Sequence, residues 1–249
     1  MNKLFFCTAL LFCLLGGSVR PARAEAALTC GRFSEDALPA AEPRSANWPL
    51  QRLATINAAV RAQPHRVLFL GDSLVEHFEI GAGAGLWREY LSPRGVLDAG
   101  VSGDRTEHLL WRLDNGTLDG PPPRAIVLLI GTNDLSYHRS PEDTADGIRA
   151  VLLKLREKLP QARILLLGLW PRSAAPESPF RTQIATVNRL IASCADNRAI
   201  RYGEIGGALL EADGRLAAEI AADHLHPSTA GYTRLAPRLA ALIDKLAGP

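Results

Sequence analysis

The chain has 249 residues, 47% of them apolar, with 28 basic against 26 acidic side chains. That length and composition suit one α/β domain with ample apolar surface for a core, and they exclude a disordered or low-complexity chain. The near balance of charge, with no basic patch, argues against a nucleic-acid partner.

The first 24 residues read as a signal peptide. Lys3 supplies a basic start and residues 4–15 form an almost unbroken apolar run. Gly16 and Gly17 break that run, and Ala22-Arg23-Ala24 closes the segment in a small-x-small cleavage pattern. The run falls well short of the roughly 20 apolar residues that cross a bilayer. No stable membrane insertion is therefore expected after its removal, and the protein is expected in a periplasm or outside the cell. Cleavage takes away Lys3, Arg20 and Arg23 and leaves 25 basic against 26 acidic residues. Cys7 and Cys13 leave as well. Cys30 and Cys194 remain, either as a disulfide tying the N-terminal arm to the body or as two separate buried thiols.

Residues 25–47 form an extension rich in Ala, Pro and Glu, expected to wrap the surface, and 48–249 form the folded domain. Leu50, Leu53, Ile56 and Val60 recur at helical spacing over 48–62, and Pro64 ends that helix. Short, mostly branched or apolar runs at 66–70, 96–99, 125–130, 163–169 and 200–202 read as strands buried on both faces. Helices are expected between and after them at 106–113, 141–159, 182–196 and 228–246, the last with Ser228 as N-cap. Strand–helix alternation implies a parallel five-stranded sheet covered on both faces, a three-layer α/β/α sandwich of doubly wound order.

Sites on such sheets lie beyond the carboxyl ends of the strands. The loops there are Gly71-Asp72-Ser73, Gly100-Val101-Ser102-Gly103-Asp104 and Gly131-Thr132-Asn133-Asp134, with Asp223-His224-Leu225-His226 ahead of the last helix. Ser73 opens a helical turn, where free N–H groups and the positive dipole end favour developing negative charge; plain N-capping by Asp72 or Ser73 is the alternative. His226 is a candidate base for Ser73, with Asp223 to orient its ring and His224 as local competitor. The Ser73 N–H, the Gly103 N–H and the Asn133 amide are candidate donors to an oxyanion. Gly103 and Asn133 are also ordinary turn residues. Leu74 and Leu225 flank the candidate catalytic residues, either shaping an acyl pocket or simply packing in the core.

Gly71-Asp72-Ser73-Leu74, Gly103, Gly131-Thr132-Asn133-Asp134 and Asp223-x-x-His226 together resemble, in order, the four motif blocks of the SGNH (GDSL) hydrolase superfamily. Residues 96–120, 162–172 and 223–232 further resemble the catalytic subunits of the intracellular platelet-activating-factor acetylhydrolases. The resemblance implies a flavodoxin-like fold and a Ser73–His226–Asp223 triad. It also implies an oxyanion hole at Ser73, Gly103 and Asn133, no metal or other cofactor, and a shallow site for short acyl groups. Two departures stand out: those subunits carry no export signal, and Ser102 occupies a position where they have glycine. Export favours acetylated polysaccharide, xylo-oligosaccharide or other small esters over phospholipid as substrate. An acetyltransferase using the same triad, or a non-catalytic carbohydrate-binding or assembly protein, is the alternative. No G-x-G-x-x-G follows a strand and no Walker-type lysine is present, which sets nucleotide binding aside. Oligomeric state is not legible.

Overall fold

The apolar runs become five parallel strands in the computed structural model, which describes Cys30 and residues 39–247. The expected leader, residues 1–24, lies outside the described residues. The strands are β1 (Val67–Gly71), β2 (Val96–Gly100), β3 (Ala125–Leu129), β4 (Arg163–Leu167) and β5 (Ile200–Gly203), in the order β2-β1-β3-β4-β5. Val67 lies in register with Val96 on one side and with Ala125 on the other. Sequence order thus reverses direction at β1, and the crevice beside its carboxyl end is the switch point where such sheets place their sites.

Helix α1 (Asn47–Ala62) leads into β1, and α2 (Ser73–Ile80) follows it directly. After α3 (Ala84–Leu86) a short π-helical and 3₁₀ stretch leads to β2. The remaining helices are α4 (Thr106–Asp114), α5 (Thr132–Ser136), α6 (Pro141–Lys158), α7 (Pro179–Ala192) and α8 (Thr229–Ala247). Helices α4, α6 and α7 pack side by side in one layer, while α8 lies on β3 and β4 in the other. Val67 to Leu70 and Ala125 to Leu129 are almost wholly buried, as expected of central strands covered on both faces.

Boundaries differ from the sequence reading where a side chain takes over a backbone bond. The fourth strand stops at Leu167 rather than 169, because Asn188 on α7 both accepts from the Leu169 N–H and donates to its carbonyl. Helix α7 starts three residues early, with Pro179 pre-set for a first turn. It ends at Ala192, short of Asp196, whose carboxylate accepts the N–H groups of Arg198, Ala199 and Ile200 and turns the chain into β5. Ser228 caps α8 by accepting from the Gly231 N–H at 3.3 Å. The helical turn expected after Ser73 is α2, while the short helix α5 replaces what the sequence marks only as a turn.

Two glycines let α2 press onto the sheet. A Cβ on Gly71 would collide with Val75 and the Leu129 carbonyl, and one on Gly100 with the Glu76 and Asp72 backbone. Cys30 and Cys194 are joined in a disulfide, which ties the extension to the segment just after α7.

Candidate active site

Ser73 is the first residue of α2, capped by Asp72, whose carboxylate accepts from the Leu74 N–H at 3.0 Å. Its hydroxyl lies 2.8 Å from Nε2 of His226. On the far side of that ring, Nδ1 is 2.6 Å from Asp223 Oδ2. The other oxygen of Asp223 accepts the backbone N–H groups of His226 (2.8 Å) and Leu225 (3.0 Å), so the carboxylate shapes the loop as well as the ring. Burial pushes the Asp223 carboxyl up, but these bonds outweigh it and hold the group at about 2. The carboxylate is therefore an acceptor across ordinary pH. This fixes the proton of neutral His226 on Nδ1 and leaves Nε2 free to accept from Ser73.

His224 competes for no such role. Its backbone is left-handed, with φ 54°, and Nδ1 lies 3.1 Å from the Leu216 carbonyl. The αL kink at His224 and the Asp223 bonds turn His226 toward Ser73 and His224 away from it.

Around Ser73 the three other loops converge. The N–H groups of Ser73 and Gly103 meet no acceptor among the described residues, and Gly103 is left-handed with φ 79°. Asn133 donates one amide hydrogen to the Asp104 carbonyl at 2.9 Å, which orients the side chain and leaves its second hydrogen unspent. Sequence-predicted Ser73, Asp223, His226, Gly103 and Asn133 thus belong to one rim. Leu74 is buried in the core, with 2% of its surface exposed, and Leu225 is half-buried beside His226. The core-packing alternative describes Leu74, and Leu225 packs against the edge of the same core.

Beneath the rim lies a frame of buried polar groups that sequence reading missed. Arg112 on α4 binds the Asp104 carboxylate (2.8 Å) and the Gly71 carbonyl (2.9 Å), joining the loops after β1 and β2. Asp134 accepts from the hydroxyl (2.6 Å) and N–H (3.1 Å) of Thr106, joining the loops after β2 and β3. Glu76 on α2 accepts from the Ser102 N–H at 2.6 Å, so the serine at this departure from the family pattern leaves the loop anchored through its backbone. Tyr232 on α8 donates to the Leu74 carbonyl at 2.8 Å and holds the last helix against α2.

Burial dominates the electrostatics here. It lifts Asp72 to about 7, partly offset by the Leu74 N–H and reinforced by the charges of Asp104 and Asp134. It lifts Asp134 to about 6 against the Thr106 hydroxyl, and raises Asp104 against the attraction of Arg112. His77, one turn beyond Ser73, stands with its ring centroid 5.0 Å from that of His226. Burial lowers its pKa, and the neighbouring histidine lowers it further.

Glu42, Glu107 and His108 gather closely enough to suggest a metal site. Two of the three are already engaged: Glu107 pairs with Arg139 at 3.1 Å and with Arg105, and His108 Nδ1 accepts from the Arg105 N–H at 3.0 Å. A cavity of about 690 Å³ opens at the opposite end of the sheet, among Pro123, Arg124, Pro160 and Arg163, and touches none of the site residues. Among the described residues no helix is long and apolar enough to cross a membrane.

A doubly wound sheet carrying a Ser–His–Asp chain at its switch point defines a serine ester hydrolase. The profile of the GDSL-like Lipase/Acylhydrolase family matches residues 69–234, and the chain belongs to that family. Rat platelet-activating factor acetylhydrolase IB subunit alpha2 is 35% identical over 222 residues, covering 85% of this chain and 93% of that one. Two solved structures share the fold. A GDSL-like lipase from Bacteroides thetaiotaomicron has 22% identity, TM-score 0.64 and coverage of 80% and 98%. An acetylxylan esterase from Geobacillus stearothermophilus has 18% identity, TM-score 0.58 and coverage of 74% and 96%.

Proposed function

We propose that the protein is an exported serine esterase that removes acetyl and other short acyl groups, with an acetylated polysaccharide or oligosaccharide as its substrate. The observation that carries this reading is the hydrogen-bonded chain from Ser73 through His226 to Asp223, beside two uncommitted backbone N–H groups.

In this mechanism His226 Nε2 takes the Ser73 proton as Oγ attacks the acyl carbonyl. The new imidazolium is held by Asp223, and the oxyanion by the N–H groups of Ser73 and Gly103 and the Asn133 amide. Collapse breaks the bond to the alcohol, which leaves with the proton from His226. Water then repeats the sequence on the acyl-Ser73 ester, giving the free acid and restoring Ser73.

Support for the acetyl group comes from the names of two similar proteins, an acetylhydrolase and an acetylxylan esterase. Support for export is the basic–apolar–small pattern of residues 1–24. The test is a chromogenic ester series from acetyl to octanoyl, alongside acetylated xylo-oligosaccharide, with wild type and Ser73→Ala compared. Fast acetate cleavage is expected, falling by about 10⁴-fold or more in a folded Ser73→Ala protein. Undiminished turnover in that variant removes the mechanism. Preference for octanoate, with the sugar ester untouched, removes the substrate assignment.

A further inference from the structure

Gly103 presents its N–H from a loop that is held in place by its neighbours' bonds and not by a side chain of its own. It is left-handed, carries no side chain to pack, and as a glycine has the most conformational freedom to lose. The loop is tied down on two sides from within the domain, through the Ser102 N–H to Glu76 and through the Asp104 carboxylate to Arg112. Asn133 holds the Asp104 carbonyl, one peptide further on. The peptide between Gly103 and Asp104 is held at both its polar groups, and its Asp104 N–H donates to the Val101 carbonyl at 3.1 Å. The Gly103 carbonyl accepts from Arg44 Nη1 at 2.6 Å.

Arg44 comes from outside the α/β domain, in the stretch that precedes α1. That stretch is laid down specifically: the Glu42 N–H donates to the Glu107 carbonyl at 3.1 Å at the start of α4, and Pro49 is buried at the entry to α1. Its guanidinium is half-buried between the Gly103 loop and α4. A Cβ built on Gly103 would stand 3.1 Å from Arg44 Nη2, and the Arg44 charge is felt at both Asp104 and His108. A charge-assisted bond from a planar guanidinium to a carbonyl is stronger and more directional than a neutral one.

We infer that residues 39–46 are a strap over the oxyanion loop, and that Arg44 is a positioning residue which aims the Gly103 N–H for ester hydrolysis. The inference rests on the reading of Gly103 as an oxyanion donor. Without Arg44 the Gly103 carbonyl loses its side-chain partner and only the Asp104 N–H bond to Val101 holds that peptide. The φ and ψ of this glycine then relax, its N–H on the preceding peptide drifts off its aim, and transition-state stabilisation falls while ground-state binding is kept.

The test compares Arg44→Ala and Arg44→Lys in the full mature chain. Active sites are counted by titration with a serine-directed phosphonate, so unfolded protein lowers the count and not the turnover per site. A donor that is displaced rather than removed should lose about tenfold in kcat, less than the 10²–10³ for outright removal. KM should hold within about twofold. A boronate that forms a tetrahedral adduct on Ser73 should weaken by the same factor as kcat/KM, and Lys, which keeps a cationic donor, should recover part of the loss. Unchanged kcat in Arg44→Ala, or a rise in KM with kcat kept, overturns the strap. Wild type that neither labels with phosphonate nor cleaves esters overturns the underlying reading instead, so the two failures are distinguishable.

Discussion

Arg112→Met tests the frame under the rim. The arginine side chain is 3% exposed and Asp104 is fully buried, with Asp104 Oδ1 lacking a hydrogen-bond partner among the described residues. Removing the guanidinium deletes the bonds to Asp104 Oδ2 and to the Gly71 carbonyl, and leaves a buried carboxylate with only the more distant charge of Arg44 to oppose it. Breaking one side of such a pair costs about 3–5 kcal/mol. For a domain of this size that is roughly 10 °C in Tm. Burial already raises the Asp104 carboxyl and Arg112 opposes the rise, so in the mutant the carboxyl escapes part of the penalty by taking up a proton. The loss should therefore be larger at pH 8 than at pH 5. Adding Asp104→Asn should recover much of it, because the pair is then replaced by neutral groups. The assay is equilibrium unfolding in urea at both pH values for wild type, both single mutants and the double mutant. A cost under 1 kcal/mol for Arg112→Met, or a double mutant no more stable than the single, refutes the reasoning.

Asp72→Asn should act in the opposite direction. Burial holds the Asp72 carboxyl at about 7, above the roughly 3.9 of a free aspartate. The folded state therefore binds the proton more tightly than the unfolded one. The group's stability contribution is full below about pH 4 and is lost as pH rises through 7. Asparagine keeps the acceptor for the Leu74 N–H without that loss, so its Tm advantage over wild type should grow from pH 5 to pH 8; an advantage independent of pH rejects the assignment. Opening the Cys30–Cys194 disulfide, which spans 164 residues of sequence, should cost about 2–5 kcal/mol. A Tm unmoved by reductant, with free thiols verified by alkylation, contradicts that.

Much of the fold was legible because its signals are local. The apolar runs that become β1 to β5 are short and bounded by glycine or polar turns, and the stripe of Ile148, Val151, Leu152 and Leu155 on α6 repeats at helical spacing. The rim residues were legible because the loop after a parallel strand is where such sheets put their chemistry. The misses were of another kind. Asn188 ends β4 from nineteen residues away, and Asp196 ends α7 by competing for backbone donors. Arg44 and Arg112 were not singled out, because nothing near them in the chain announces the carbonyls they hold.

From sequence alone came the number of strands, the doubly wound class, and the four loops that carry Ser73, Gly103, Asn133 and His226. These depend on hydrophobic periodicity, turn chemistry and a recognisable spacing, each written within a few residues. Only the tertiary structure decided the left-handed turn at His224 that brings the expected base His226 to Ser73, the pairing of Cys30 with Cys194, and the bracing of the rim by Arg112, Asp134 and Arg44. Each of those is a contact between segments far apart in the chain or a choice of backbone angle at one residue. Such outcomes are set by the packing of the whole domain and leave no periodic trace in the sequence.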